Sequence, residues 1–541
     1  MILRIIFLFL SMYMFLYATP KTRGDILASD KKPIFLNPLG GYVDKVKDIG
    51  TEGLEQQYND ILSSGDDVLT YIDRGLQQDI DTLVLKAKEK LDATEVMVMV
   101  MESSSGKMLT LSSSNRYDDS NITMKDIKYT KPNFASYMYE PGAVLMPFSV
   151  ATMLYKYKNN PDRYKQSYDT NFTTLKIGKH YHIKDDTIYK KQTPKDMLVH
   201  SSNVGMALLV QDINGSFFYD ALHLYGFDEK SGIDLPNDKK GYIKTKEQLQ
   251  HQLYRTINSY GYGIRLTPMQ LLKAYAIFAN NGVVSRPHIA TIAPKESKEA
   301  LPPFIAKHIK DMLISVVQQG TGVNAQVKGI IVGGKTGTAH IAKHGRYIKS
   351  YNSSFFGFAQ DKQGDNYTIG VVVVEPKEPN NYFASKSAVP IFKQVVKSMI
   401  SHRLLKPDTN STKEYMSPLA KAVITKPYGV SNDKEFDIKV INKTLILKPL
   451  KPDSKVVSIA DGKVVFAGLS KDLGNVVIIY HKDKVHSVYA NLSKISPQIK
   501  TGIILKQGQT IGTIKDKLIL QMIKDSQAVN PVEFIEFKYG D

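Results

Sequence analysis

Hydrophobic and polar positions alternate with different periods along the chain, and the changes of period mark out its parts. Ile2 to Ala18 is an apolar run broken only by Arg4 and Ser11. At roughly 17–20 residues such a run spans a bilayer as one helix. Leu16-Tyr17-Ala18 makes a poor cleavage site, so an uncleaved, single-pass signal anchor is expected over residues 1–19. Basic residues stand on both sides of the run (Arg4, then Lys21 and Arg23), so flanking charge leaves its direction open. Ile72, Leu76, Ile80, Leu83 and Leu91 recur at helical spacing and predict a helix over 72–91. The stretch 95–114, EVMVMVMESSSGKMLTLSSS, reads as strand, turn, strand, with Ser105-Gly106 at the tip. Strands are predicted again at 353–360 and 367–376. A helix is predicted over 390–405, with Pro390 in its first position.

Residues 406–418 are polar and carry Pro407 and Pro418, the composition of a linker. Beyond them, short β-rich runs alternate with Gly, Asp and Lys turns, as in a small all-β domain. The expected order is an anchor over 1–19 and a short module over 20–65. A mixed region of helices and strands over 66–403, a linker over 404–420 and a β domain over 421–541 follow.

Composition changes this picture little. A chain of 541 residues, 42% hydrophobic and 23% charged, has room for two or three domains with real cores. The absence of cysteine excludes disulfides and thiolate metal sites and is compatible with export. A net charge of +18 suits anionic surroundings such as a phospholipid face or an acidic wall polymer. The lysines are scattered and no nucleic-acid motif stands out, so no nucleic-acid partner is expected.

Candidate chemistry begins at 139–150, YEPGAVLMPFSV. Glu140-Pro141-Gly142 and Pro147-Phe148 punctuate a turn and a helix start around four residues with no reactive group. Two further elements belong with it: Ser201-Ser202-Asn203, and 333–339, GGKTGTA. In this order and spacing they resemble the transpeptidase domain of class B penicillin-binding proteins, whose motifs are Ser-x-x-Lys, Ser-x-Asn and Lys-Thr-Gly. Arg23-Gly24-Asp25-Ile26, Asn37-Pro38-Leu39-Gly40-Gly41, Gly232-Ile233-Asp234-Leu235-Pro236 and 261–282 add to the resemblance, which covers residues 20–400. It implies an α+β fold of a sheet with flanking helices, placed outside the cytoplasm. It also implies cross-linking of peptidoglycan stems through an acyl-enzyme.

The residues depart from that chemistry. The positions of the nucleophilic Ser and the basic Lys hold Ala143 and Met146. Acylation needs an attacking oxygen with a base in reach, and neither side chain supplies one. Ser201 and Lys335 do not replace the missing pair, because such groups act as a unit. Other Ser-x-x-Lys spacings at Ser29/Lys32, Ser104/Lys107 and Ser431/Lys434 lie in turns or linkers, and Ser149 is on another face of the helix. Ser201, Asn203, Lys335, Thr336, Gly337 and Thr338 remain as cleft residues. The resemblance implies that they face a peptide stem and its carboxylate; packing and capping are the structural alternative.

The last 120 residues carry a second pattern. The run 455–468, Leu473-Gly474-Asn475, Tyr489-Ala490-Asn491-Leu492 and 507–514 up to Val529-Asn530-Pro531 resemble a LytM-type zinc endopeptidase domain. That family's ligand and catalytic positions fall here on Asn442 and Ile446, on Asn491, and on Lys517 and Ile519. Zinc requires imidazole or carboxylate donors, so no metal and no other cofactor is expected. His481 and His486 survive; His481 is expected as a surface or strand residue. Degenerate domains of this kind imply a partner enzyme that is bound, not a bond that is cut.

The expectation is therefore an envelope pseudoenzyme, single-pass in the cytoplasmic membrane. It would act as scaffold or regulator of peptidoglycan synthesis and remodelling in division or shape. Its partners would be stem peptides and an envelope enzyme, a murein hydrolase or a wall synthase. Two other readings fit the sequence: a residually active transpeptidase or carboxypeptidase, and a non-catalytic wall-binding structural protein.

Overall fold

Asp73 opens the first long helix, α1 (Arg74–Leu91), its carboxylate accepting from Leu76 N at 2.8 Å. The buried stripe runs Leu76, Gln77, Ile80, Val84, Ala87 and Leu91. Val84 takes the place expected for Leu83, because 3.6-residue periodicity carries the stripe from Ile80 to position 84. The computed structural model describes residues 22–537, apart from 119–120, 344–345, 379–380, 409–414, 434–437, 483 and 525. The expected anchor over 1–19 lies outside the described residues. Among the described residues no helix is long and apolar enough to cross a membrane.

Strands β1 (Glu95–Glu102) and β2 (Met108–Ser113) form the expected hairpin, turning through Gly106 at φ 84. Further along the chain come helices α2 (Met146–Lys156), α3 (Pro194–His200), α4 (Asn203–Leu209) and α5 (Pro268–Ala279). Strands β3 (Ile331–Lys343), β4 (Arg346–Gln360) and β5 (Asn366–Val374) precede helix α6 (Ala388–Ser401). Pro390 is the third residue of α6, not the first: the helix begins two residues earlier, at Ala388.

The five strands make one sheet in the order β3-β4-β5-β1-β2. Val96 to Met101 of β1 and Ile369 to Val373 of β5 are buried, which is why both read as unbroken apolar runs. Phe355 and Phe356 point to opposite faces of β4. Phe355 meets Phe392 of α6 at 4.7 Å between ring centroids, and Phe356 meets Tyr275 of α5 at 5.7 Å. Helices therefore cover both faces.

Chain contacts divide the protein into two compact units. One holds residues up to 313 with 332–360 and 364–405; the other holds 314–331, 361–363 and 406–541. The 20–65 segment belongs to the first unit rather than standing as a separate module. Tyr58 donates to Asp234 at 2.6 Å, and Tyr117 donates to the Gly41 carbonyl at 2.8 Å.

The second unit is built on a sheet that includes β6 (Leu445–Pro449), β7 (Gly462–Ser470), β8 (Gly474–Tyr480), β9 (Val485–Leu492) and β10 (Leu518–Lys524). The order is β6-β10-β9-β8-β7. One face carries Val477, Ile479, Tyr489, Leu520 and Met522 into the core. Tyr415 and Leu419 join that core, each 1% exposed. The carboxyl end of the expected linker is thus folded structure: its few apolar residues are the ones that dock.

Candidate functional site

The turn at 141–145 is fixed by close backbone approach. Gly142 sits at φ 61 and donates its N–H to the Gly261 carbonyl at 3.1 Å. A Cβ on Gly261 would lie 2.0 Å from the Gly142 carbonyl oxygen. Residues Gly142–Leu145 form one 3-10 turn that feeds into α2. Tyr275 of α5 donates to the Val144 carbonyl at 2.6 Å, and Phe148 packs among Tyr225, Phe227, Tyr275 and Phe278. Glu140 accepts from Gly263 N at 2.8 Å, and burial raises its pKa. This scaffold holds Ala143 half-buried at the cleft and Met146 fully buried beneath it.

The three sequence elements come together. A Cβ on Gly337 of β3 would meet the Pro141 carbonyl at 2.7 Å and Val144 Cγ1 at 2.9 Å, so that strand lies directly against the turn. Lys335 has no exposed surface, and its Nζ donates to Ser201 Oγ at 2.8 Å and to the Thr336 carbonyl at 3.2 Å. Ser201 Oγ is 3.9 Å from Met146 Sδ. Burial pushes the Lys335 amine down to about 7, because the charged form loses its hydration.

Ser201 ends α3 in a left-handed conformation (φ 59) and is half-buried, as is Asn203. Thr336 is buried, and Thr338 Oγ1 accepts from Ala384 N at 3.0 Å. A hydroxyl and an amine thus meet beside the Met146 thioether.

Asp185 is a residue that sequence spacing missed. Its carboxylate accepts from Ser202 Oγ, from Asn203 N at 2.6 Å and from Val204 N at 3.1 Å. It thereby caps α4 and sets the position of Asn203. No local pattern marks it, since it lies 17 residues before Ser202. The other Ser-x-x-Lys pairs are placed elsewhere. Ser149 is 1% exposed and donates to the Ser259 carbonyl at 2.8 Å. Ser104 and Lys107 flank the β1–β2 tip, with Lys107 ion-paired to Glu102 at 3.5 Å. Ser29 and Lys32 share an exposed turn, and Lys434 lies outside the described residues.

In the second unit, the positions implied for zinc also come together. Ile446 of β6 is the register partner of Ile519 of β10, and Ile519 pairs in turn with Ala490 of β9. Asn491 donates to the Lys517 carbonyl at 2.7 Å, and Asn442 donates to the Pro427 carbonyl at 3.3 Å. Two isoleucines, two amides and a lysine do not fit zinc. Among the described residues, no three imidazole or carboxylate groups are placed to share a metal ion. Val476, Ile478, Val488 and Ile523 continue the same apolar face.

His481 is no surface residue. It is 1% exposed, with Nδ1 at 2.8 Å from the Asp461 carbonyl and Nε2 at 2.7 Å from Ser487 Oγ. Burial lowers its pKa, so the neutral ring serves as a structural bridge. His486 is half-buried against the Tyr480 ring.

Comparison with known proteins agrees with both halves. Residues 446–531 match the model of peptidase family M23. A Neisseria flavescens protein named "Probable peptidoglycan D,D-transpeptidase PenA" is 28% identical over 360 residues, covering 65% of this chain and 86% of that one. "Peptidoglycan D,D-transpeptidase FtsI" of Buchnera aphidicola subsp. Schizaphis graminum is 26% identical over 354 residues, 65% of this chain and 61% of its own length. The chain thus spans less than two thirds of that relative.

The crystal structure of penicillin-binding protein 3 from Mycobacterium tuberculosis with aztreonam superposes with a TM-score of 0.63 at 22% identity. It covers 72% of this chain and 99% of that one. The transpeptidase domain of Burkholderia pseudomallei penicillin-binding protein 3 gives 0.55 at 24%, covering 62% and 97%. At such identities these two likenesses concern the fold alone. The penicillin-binding-protein transpeptidase model matches residues 96–397, more than half of the sequence, and the chain belongs to that family.

Proposed function

We propose that this protein is an extracytoplasmic, membrane-anchored member of the family that recognises peptidoglycan stem peptides without forming an acyl-enzyme. In this reading it is a scaffold or regulator of wall synthesis and remodelling, in division or cell shape. The observation that carries the proposal is Lys335 Nζ on Ser201 Oγ at 2.8 Å, with that hydroxyl 3.9 Å from Met146 Sδ and strand β3 lying against the turn that carries Ala143. These polar groups suit a peptide and its carboxylate. The oxygen and the base that would attack it are replaced by a methyl and a thioether. Donors aimed at a ligand need no nucleophile to bind it.

The second unit supports the same reading from another side. Its M23-like face carries half-buried Ile446, Ile478, Ile519 and Ile523 around buried Val476 and Val488, where a metal site would be polar, and this suits contact with an envelope enzyme, a murein hydrolase or a wall synthase. Ala143→Ser combined with Met146→Lys tests the first part. The double variant should be labelled covalently by a fluorescent penicillin while the parent is not. Labelling of the parent, or a folded double variant that stays unlabelled, contradicts the proposal.

One observation favours a second reading, residual acyl transfer. Lys335 Nζ lies 2.8 Å from Ser201 Oγ with its pKa near 7, so a neutral amine faces a hydroxyl. Under that reading the parent is labelled on Ser201, and Ser201→Ala abolishes the label.

A further inference from the structure

The 42–51 hairpin is small, and its exposed tip carries two aliphatic side chains among charged ones. Tyr42–Asp44 pairs with Ile49–Thr51, and residues 45–49 are all exposed. Val46 is 94% exposed and Ile49 47%, with Lys45 and Lys47 on either side of Val46.

The turn is held in this form by its own backbone. The Asp44 carboxylate accepts from Val46 N at 3.0 Å and from Lys47 N at 3.3 Å, which fixes Val46 pointing outward. Its acids are engaged: Asp44 within the turn and with Lys47 at 3.9 Å, and Asp48 with Arg23 at 3.8 Å. Arg23 also donates to the Asp48 carbonyl at 3.4 Å and binds Glu55 at 2.6 Å. Gly50, at the hairpin base, donates to Asn59 Oδ1 at 2.8 Å.

The hairpin is therefore clamped to the point where the chain enters the fold. Arg23 stands five positions after Ala18, the end of the apolar run, and five extended steps reach at most about 18 Å. Lys21 lies in that segment. An exposed valine flanked by two lysines, with an exposed isoleucine close by, matches the boundary between acyl chains and anionic headgroups, where the methyls sink and the ammonium groups meet phosphate.

We infer that the 45–49 tip is a membrane-surface contact that rests on an anionic phospholipid leaflet and fixes how the first unit leans on the membrane. This rests on the anchored reading under Proposed function.

The experiment uses the full chain, which has no cysteine, so Val46→Cys introduces a single labelling site. A control carries Met124→Cys, another position 86% exposed in the same unit. Each is labelled with an environment-sensitive fluorophore and reconstituted in nanodiscs of phosphatidylcholine alone or of an equal mixture with phosphatidylglycerol. Headgroup-level nitroxide lipid serves as quencher.

The expected result is quenching at position 46 that exceeds that at 124 by about twofold or more in the anionic discs. It should fall in phosphatidylcholine, in high salt and in Lys45→Glu/Lys47→Glu. Equal quenching at both positions in chains that co-elute with the discs overturns the contact and leaves the anchor standing. A label that responds only when solubilised envelope protein is added assigns the tip to a protein partner and also overturns it. Failure of the chain to enter discs overturns the anchor itself, and the contact with it.

Discussion

The two sites depart from the residues their resemblances imply in different ways. Around Ala143 the departures fall on positions 143 and 146, while Lys335 stays bonded to Ser201 and the turn keeps its close glycine contacts. In the second unit the donor positions themselves are gone, and Ile446 and Ile519 face each other as part of an apolar sheet face. A site that drops only its nucleophile keeps the means to recognise the same ligand. A site whose donors become aliphatic has changed the chemistry of what it can hold. The first should thus be recoverable by two substitutions, and the second should serve a different kind of partner.

The largest effect is expected from Gly261→Ala. The new Cβ would meet the Gly142 carbonyl oxygen at 2.0 Å on backbone held at φ 87. A loss of about 3 kcal/mol in urea unfolding is expected, and in the Ala143→Ser/Met146→Lys background penicillin labelling should fall with it. Unchanged stability would mean that the turn is not held as described.

Lys335→Met sharpens the contrast by acting on binding and stability in opposite directions. Loss of the Lys335 donation that holds Ser201 Oγ in the cleft should weaken stem-peptide binding about tenfold by calorimetry. Stability should rise, by on the order of 2 kcal/mol at pH 6, because a desolvated amine is removed. The amine titrates near 7 when folded and near 10.5 when unfolded. The unfolded chain therefore holds more protons between those values, and the stability of the parent rises with pH across that window. The advantage of the variant should be constant below about 7 and shrink towards pH 10. A gap that widens with pH contradicts the assigned burial.

On the other side of the comparison, Ile519→Asn should cost about 1–2 kcal/mol. It should reduce capture of envelope proteins by the tagged chain while leaving stem-peptide binding alone. Loss of peptide binding instead would collapse the distinction between the sites. The smallest effect belongs to Ser149→Ala, about 1 kcal/mol from one buried hydrogen bond, with no change in ligand binding.

Much of this was legible because motif spacing is kept where residues inside the motifs differ. Glu140-Pro141-Gly142, Ser201-Ser202-Asn203 and Lys335-Thr336-Gly337 announced one cleft, and the structure brings them into contact. The two inner strands β1 and β5 and their neighbours β2 and β4 were readable from apolar runs and a turn, whereas β3, an edge strand rich in Gly and Thr, was not. What stayed hidden depended on contacts distant in sequence. The Asp185 cap on α4 and the Tyr275 hold on Val144 have no local signature. Tyr415 and Leu419 looked like linker because composition averages over a few buried side chains. His481 looked like an ordinary strand residue because nothing nearby in sequence shows that both its ring nitrogens are bonded inside the fold.

The central claim is recognition without acylation. It is tested most directly by incubating the parent protein with a D-Ala-D-Ala stem pentapeptide and with penicillin, following binding by calorimetry and intact mass by mass spectrometry. Reversible peptide binding with no mass increase is the expected result. A covalent adduct on the parent, or no peptide binding by a protein that is demonstrably folded, would contradict it.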